Sequence, residues 1–137
     1  MRVIEHGRFR GVYWVEFDDG AQKLATRNSA PGTQVYGEKL VEIEGVEYRL
    51  WDPYRSKLAA AIVREMKEMP IAAGSKVLYL GAASGTTASH VSDLVCPNGM
   101  VHCVEISSRP MRDLLLVCNR RPNMVPMLGA LRQQPRP

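Results

Sequence analysis

Lys76-Val77-Leu78-Tyr79-Leu80-Gly81-Ala82-Ala83-Ser84-Gly85-Thr86-Thr87 decides the fold. It opens as an apolar run of strand length, passes into small residues, and leads into Thr86 to Val95, which reads as a helix. A strand, a small-residue turn and a helix start aim free backbone N–H groups at one spot beyond the strand end. Downstream come the turn Cys96-Pro97-Asn98-Gly99, a strand Met100 to Glu105, a helix opening at Pro110 and ending near Asn119, and a strand Met124 to Leu128. This βαβαβ series is the beginning of a parallel, doubly wound sheet.

Upstream the pattern is antiparallel. Val12 to Phe17 is β-branched and aromatic, Asp18-Asp19-Gly20 is a hairpin turn, and Gln22 to Thr26 returns. After a loop at Asn28 to Gly32, short strands are expected at Val35-Tyr36, Leu40 to Ile43 and Val46 to Leu50, with Glu44-Gly45 as a tight turn. Asp52-Pro53 reads as a helix entry, Asp as N-cap and Pro at the first helical position. That helix is expected to run to about Met69 with Leu58, Ile62 and Met66 on its apolar face. The predicted organisation is a small antiparallel β domain over 1–51, followed over 52–137 by the first part of an α/β, Rossmann-like sheet.

Composition narrows the function classes. The chain has 137 residues, 45% hydrophobic and 23% charged, ordinary values for a globular protein. It has no apolar run long enough to span a membrane and no signal-peptide core at its N-terminus. Cys96, Cys103 and Cys118 lack metal-ligand spacing and an even count, so they read as thiols of an intracellular chain. Residues 1–70 carry 11 basic and 11 acidic residues, whereas 71–137 carry 7 and 3, which supplies the whole net charge of +4. Arg109, Arg112, Arg120 and Arg121 cluster there, able to meet phosphates or to form a solvated helix face.

Gly81 to Gly85 is neither a dinucleotide fingerprint nor a P-loop: position 83 is Ala, position 86 is not Gly, and the P-loop lysine is missing. A pyrophosphate is therefore disfavoured, and a nicotinamide oxidoreductase with it. Close backbone approach through Gly81 and Gly85, and the hydroxyls of Thr86 and Thr87, remain. Glu105 ends the next strand, 24 positions after Gly81. An acid there reaches both ribose hydroxyls of a nucleoside. A nucleoside without a phosphate motif points to S-adenosylmethionine; the alternative is a tightly packed turn with no ligand. Lys57, by helix position alone, is a solvated lysine. His90 and Asp93, one helical turn apart, read as a capped, solvent-facing pair, and His6 and His102 are isolated.

Trp51-Asp52-Pro53-Tyr54-Arg55-Ser56-Lys57-Leu58, Val77 to Asp93, Val35-Tyr36-Gly37-Glu38 and Tyr48-Arg49 together resemble the fibrillarin family in its archaeal form. The likeness runs from Gly11 to about Leu128. It implies an S-adenosylmethionine-dependent 2′-O-methyltransferase of rRNA and tRNA, working in a box C/D guide ribonucleoprotein with a Nop-family scaffold protein and a kink-turn-binding protein. A cytoplasmic location away from membranes is implied with it. The resemblance assigns the methionine end of the cofactor to Gly81, Ala83, Gly85, Thr86 and Thr87, the ribose and adenine to Glu105 and Ile106, and catalysis to Lys57. Two departures stand out. Ala130-Leu131 replaces an Asp-Ala pair whose carboxylate accepts from adenine, and the chain ends at Pro137 where the family continues. The expectation is a truncated member, inactive alone and marginally folded. The alternative reading is a non-catalytic fragment that retains partial cofactor or scaffold-protein binding.

Overall fold

A computed structural model describes residues 1–129. Two sheets are present. The first is antiparallel, with strands β1 (Arg2–Glu5), β2 (Val12–Glu16), β3 (Gln22–Arg27), β4 (Leu40–Ile43) and β5 (Val46–Leu50) in the order β1-β2-β3-β5-β4. β4 and β5 are joined by Glu44-Gly45, both at positive φ (52° and 81°), the tight turn whose twist matches a hairpin. One face of this sheet contributes Val12 and Leu24 to a cluster with Phe9, Trp51, Ala59, Ile62 and Leu94. The other gathers Val15, Ala25, Val41, Tyr48 and Leu50.

Three local expectations are corrected. β1 is an additional strand, in which Val3 and Ile4 pair with Val15 and Trp14. Val35-Tyr36 is not a strand. Its amides instead donate to the carboxylate of Glu38, at 2.9 Å from Val35 N and 2.8 Å from Tyr36 N to Oε1, which closes a loop that strand pairing would open. The helix expected from Pro53 to Met69 is shorter: α1 spans Lys57–Val63. Asp52 does accept a backbone N–H, but from Tyr54 at 2.8 Å, and so caps a turn. Ser56 is the N-cap, accepting from Ala59 N at 3.3 Å. At the other end Glu65 adopts φ 65°, while its N–H reaches Ile62 O and Met66 N reaches Ala61 O. That is a Schellman stop with glutamate where glycine is usual.

The second sheet comprises β6 (Lys76–Leu80), β7 (Met100–Glu105) and β8 (Met124–Leu128), all parallel in the order β6-β7-β8. α2 (Thr86–Val95) and α3 (Ser108–Arg120) are the crossovers, α3 starting two residues before the expected Pro110. Both connections step the same way, so right-handed crossovers put both helices on one face. There Ala88, Val91, Val95, Val101, Cys103, Met111 and Leu114 form the core. Gly99 is needed at the return to β7, because a Cβ would overlap Ser75 O and Val95. The opposite face is bare among the described residues, with Leu78 61%, Leu80 58% and Met127 45% exposed. Beyond α1 to α3, no described helix is present, and none is long and apolar enough to cross a membrane.

α2 joins the two sheets, and its polar residues are the largest departure from expectation. His90 and Asp93 are buried, as is Arg121, because this side of α2 faces β3 and β5 and not solvent. Asp93 accepts from Arg121 Nη1 at 2.6 Å, Arg49 Nη1 at 2.9 Å, Thr26 Oγ1 at 2.7 Å and Ser29 Oγ at 2.7 Å. Arg49 Nε also donates to Glu38 at 2.7 Å. Two guanidinium groups thus face two carboxylates. Burial pushes the Asp93 carboxyl up, but Arg121, Arg49 and the two hydroxyls outweigh it and hold it below its ordinary range.

The proton on His90 follows from its neighbours. Thr26 Oγ1 spends its hydrogen on Asp93 and so accepts from Nδ1 at 2.8 Å; Nε2 then accepts from the Tyr36 hydroxyl at 2.7 Å. The ring stacks on Trp51 with centroids 4.8 Å apart. The imidazole is neutral, since burial and then Arg49 and Arg121 lower its pKa well below 6.5.

Candidate functional site

The turn after β6 is built from alternating conformations. Gly81 (φ 77°), Ala83 (φ 51°) and Gly85 (φ 94°) are left-handed, with Ala82 and Ser84 between them. Gly81 N and Ala82 N both donate to Val104 O, at 2.9 and 3.0 Å, which folds the turn over the end of β7. Gly85 is required for packing as well as φ: a Cβ there would meet Leu114 Cδ1 at 3.2 Å and Val117 at 3.6 Å. Gly85 is also the N-cap of α2 and offers no side chain, so the amides of the first turn are left to other acceptors.

Glu105 closes the turn from the neighbouring strand. Its Oε1 accepts from Ala83 N at 2.7 Å and its Oε2 from Ser107 N at 2.9 Å. The Ser107 and Ala83 amides lower its pKa, so it is a carboxylate. Each oxygen keeps lone-pair capacity, since a carboxylate has about four acceptor sites. Ile106, the next residue, is 55% exposed, an apolar surface beside the acid.

Lys57 reaches this region through its neighbour. Ser56 Oγ accepts from Trp51 Nε1 at 3.0 Å and is hydrogen-bonded to Thr87 Oγ1 at 2.9 Å, which ties the start of α1 to the start of α2. Lys57 itself is exposed and has no ion pair among the described residues. Of the residues singled out in the sequence, Ala83 and Glu105 are therefore in direct contact, and Thr87 is one residue removed from Lys57. Thr86 lines a separate cavity of about 470 Å³ with Ser84, Tyr36, Arg55 and Arg120. Gly81, Ala83 and Ile106 are on the open surface. Ser56 is absent from the residues expected at the site; its signal is a serine just ahead of the apolar stripe, overshadowed by Asp52-Pro53. Among the described residues no group of three or more His, Cys, Asp or Glu could hold a metal ion. Cys96, Cys103 and Cys118 are free thiols, of which Cys103 is buried.

A parallel sheet with a tight glycine turn and a strand-end carboxylate beside it is the layout of Rossmann-like, nucleoside-binding proteins. The fibrillarin family model matches residues 3–136, and the chain belongs to that family. It is 59% identical over 129 residues to a fibrillarin-like rRNA/tRNA 2′-O-methyltransferase of Methanopyrus kandleri, covering 94% of this chain and 56% of the relative. Its fold is similar to that of Aeropyrum pernix fibrillarin in complex with natively bound S-adenosyl-L-methionine, with TM-score 0.92 and 51% identity over 94% of this chain and 56% of that one. A fibrillarin of a fibrillarin/Nop5p complex matches with TM-score 0.74 and 38% identity over 93% of this chain and 54% of that one. The chain spans a little over half the length of the relatives it matches. Ala130-Leu131 and the tail to Pro137 lie outside the described residues.

Proposed function

We propose that this chain carries the cofactor half of an RNA ribose 2′-O-methyltransferase. S-adenosylmethionine is its methyl donor, and its setting is a cytoplasmic box C/D guide ribonucleoprotein with a Nop-family scaffold and a kink-turn-binding protein. The observation that carries the reading is the Ala83–Glu105 bond: it holds a carboxylate at the strand end with acceptor capacity to spare for two ribose hydroxyls. The residues present fit the group. Gly81, Ala83, Gly85, Thr86 and Thr87 would frame its amino-acid end, with open space where a Gly81 Cβ would stand. Glu105 would take the ribose and Ile106 the adenine face.

When bound, S-adenosylmethionine supplies an electrophilic methyl on a sulfonium. The protein's share is positional: an attacking 2′-oxygen has to be held in line, and orientation accounts for much of such a barrier. Lys57 would orient the ribose hydroxyl, its positive charge favouring loss of the proton to solvent as the C–O bond forms and the methyl C–S bond of the sulfonium breaks. The Ser56–Thr87 bond fixes where α1, and so Lys57, starts relative to the turn.

A second reading, cofactor or scaffold binding without methyl transfer, draws on the bare apolar face of β6–β8. Two measurements separate them. Calorimetric titration with S-adenosylmethionine should show binding that Glu105→Ala removes; equal binding by both would sink the cofactor reading. Methyl transfer to guide-paired RNA should fall about 100-fold or more in Lys57→Ala with cofactor binding unchanged. Binding with no transfer in the unsubstituted chain would leave the second reading standing.

A further inference from the structure

Three thiols take no part in the candidate site, and two of them meet inside the parallel half of the fold. Cys103 lies in β7, buried, on the same side of the strand as Val101 and Glu105. Met111, Leu114 and Cys118 recur at i, i+3 and i+7 along α3, which turns all three toward the sheet. Cys118 lies half-buried there, packed against the cluster that contains Cys103. The two side chains are hydrogen-bonded thiol to thiol, although they are 15 residues apart on different elements.

The pair is asymmetric. Donation from Cys103 lowers the Cys118 thiol below its ordinary value, against the opposing effect of burial, while the same bond and then burial push Cys103 up. Cys118 is therefore the nucleophile of the two: the thiolate is the attacking form, and Cys118 is the one that solvent reaches. Cys96 stands apart at the end of α2, where its sulfur accepts from Asn123 Nδ2 at 3.3 Å.

We propose that Cys118 and Cys103 form a thiol–disulfide switch, as attacking and resolving thiol, oxidised by a low-molecular-weight disulfide of the glutathione class. The Cys118 thiolate attacks one sulfur of the small disulfide, so a mixed disulfide forms and one small thiolate leaves. That thiolate takes the Cys103 proton. Cys103 then attacks the Cys118 sulfur, the protein S–S bond forms as the mixed one breaks, and a second small thiolate leaves and is protonated by water. Two protein thiols are oxidised and one small disulfide is reduced to two small thiols. The new bond joins β7 to α3 two residues before Glu105 and three before Arg121, whose amide already donates to Cys118 O at 3.1 Å. The switch thus lies between the strand that carries the candidate ribose carboxylate and the guanidinium that meets Asp93. It goes beyond the proposed function and does not depend on it.

The test exposes the reduced, whole chain to oxidised glutathione without denaturant, blocks the remaining thiols by alkylation, and maps the cysteines by peptide mass spectrometry. The expected product has lost two hydrogens, joins Cys103 to Cys118 and leaves Cys96 outside the bond. Cys103→Ala should stop at a stable glutathione adduct on Cys118, Cys118→Ala should leave Cys103 unmodified, and Cys96→Ala should still give the Cys103–Cys118 bond. In the reduced chain Cys118 should be alkylated about tenfold faster than Cys103 or more. The oxidised chain should unfold at a urea midpoint higher by roughly 1 M, since a cross-link restricts the unfolded chain, and dithiothreitol should reverse the shift. A disulfide that includes Cys96, a glutathione adduct that persists on Cys118 in the natural sequence, a Cys103–Cys118 bond that forms only in urea, or a midpoint that does not rise would each overturn the proposal. None of these readouts involves S-adenosylmethionine, so its failure to bind would count against the proposed function alone.

Discussion

Acid should weaken this fold well before its carboxylates titrate, and His90 is the reason. Its ring is fully buried, neutral, and bonded at both nitrogens. The folded pKa lies well below 6.5, through burial first and then Arg49 and Arg121, whereas the unfolded chain takes up a proton near 6.5. A depressed folded pKa means that the stability is fully present above the unfolded value and is lost as pH falls through the window below it. The slope approaches about 1.4 kcal/mol per pH unit, so the loss by pH 5 is at most about 2 kcal/mol. That is a sizeable part of the ~5–15 kcal/mol typical of a domain. His6 is lowered as well, by its partial burial and then by Arg8, and adds a smaller effect of the same sign. The assay is urea unfolding followed by tryptophan fluorescence between about pH 8 and about pH 5, for the natural sequence, His6→Asn and His90→Gln. His90→Gln should be less stable at the alkaline end, since Thr26 and Tyr36 lose their partner. Its profile should nonetheless be flatter by most of that slope. Parallel profiles for His90→Gln and the natural sequence would refute the burial of a neutral imidazole as the source.

Three further outcomes follow from particular contacts. Arg121→Met strips Asp93 of its closest donor and leaves Asn28 and Ser29 short of one, so a loss of about 3–5 kcal/mol in denaturant unfolding is expected; a loss under about 1 kcal/mol would mean Arg49 suffices. Glu65→Gly should raise stability by roughly 0.5–1 kcal/mol, because φ 65° is strained for glutamate and free for glycine. An unchanged or lower urea midpoint would show that Glu65 does not stop α1 in this way. Leu78→Lys, on the bare face of the parallel sheet, should leave the stability of the chain within about 0.5 kcal/mol while lowering its binding of an apolar fluorescent dye; a large destabilisation would show the face to be covered.

The elements that are legible in the sequence are those with one dominant period or one dominant turn. β6, α2, β7 and β8 fall where the apolar runs and small-residue turn put them, since each strand is a short apolar run bounded by turn residues whether or not both its faces are covered. α1 departs from its expected bounds at both ends for different reasons. Asp52-Pro53 carries a start signal that Ser56 also carries, and only tertiary contacts to Trp51 and Thr87 decide between them. Its stop depends on a left-handed glutamate, which has no glycine to announce it. His90, Asp93 and Arg121 lie elsewhere than expected because a helical period shows which residues share a face, not what lies against it. The partners Thr26, Arg49 and Ser29 come from 64, 44 and 64 residues away. The pairing of Glu105 with the turn is legible because strand-end position and spacing are topological. Its bond to the Ala83 amide is not, since it depends on a left-handed alanine.

These buried polar residues matter to the site as well as to the fold. α2 is anchored along one side by Asp93, His90 and Ser89 to β3, β5 and the residue after α3. Its N-terminus is the glycine turn, so the turn is carried by a helix bonded to the antiparallel sheet and packed on the parallel one. Ser56 hangs α1 from the same helix by Thr87, and Trp51, which donates to Ser56, also stacks on His90. Lys57 and the turn are thereby referred to the same helix through Ser56 and Thr87. Glu105 is fixed from the opposite side by Ala83, and Ile106, Gly81 and Ala83 stay open beside it. Weakening the polar network should therefore disturb Lys57 and the turn together, whereas Glu105→Ala should release the Ala83 amide and the ribose end and leave Lys57 in place. A Thr87→Val variant separates the two kinds of coupling. If Ser56 is the link and Thr87 also a wall of the cofactor site, methyl transfer should fall by a larger factor than S-adenosylmethionine affinity while the urea midpoint holds; an equal fall in both would mean that Thr87 acts through the cofactor alone.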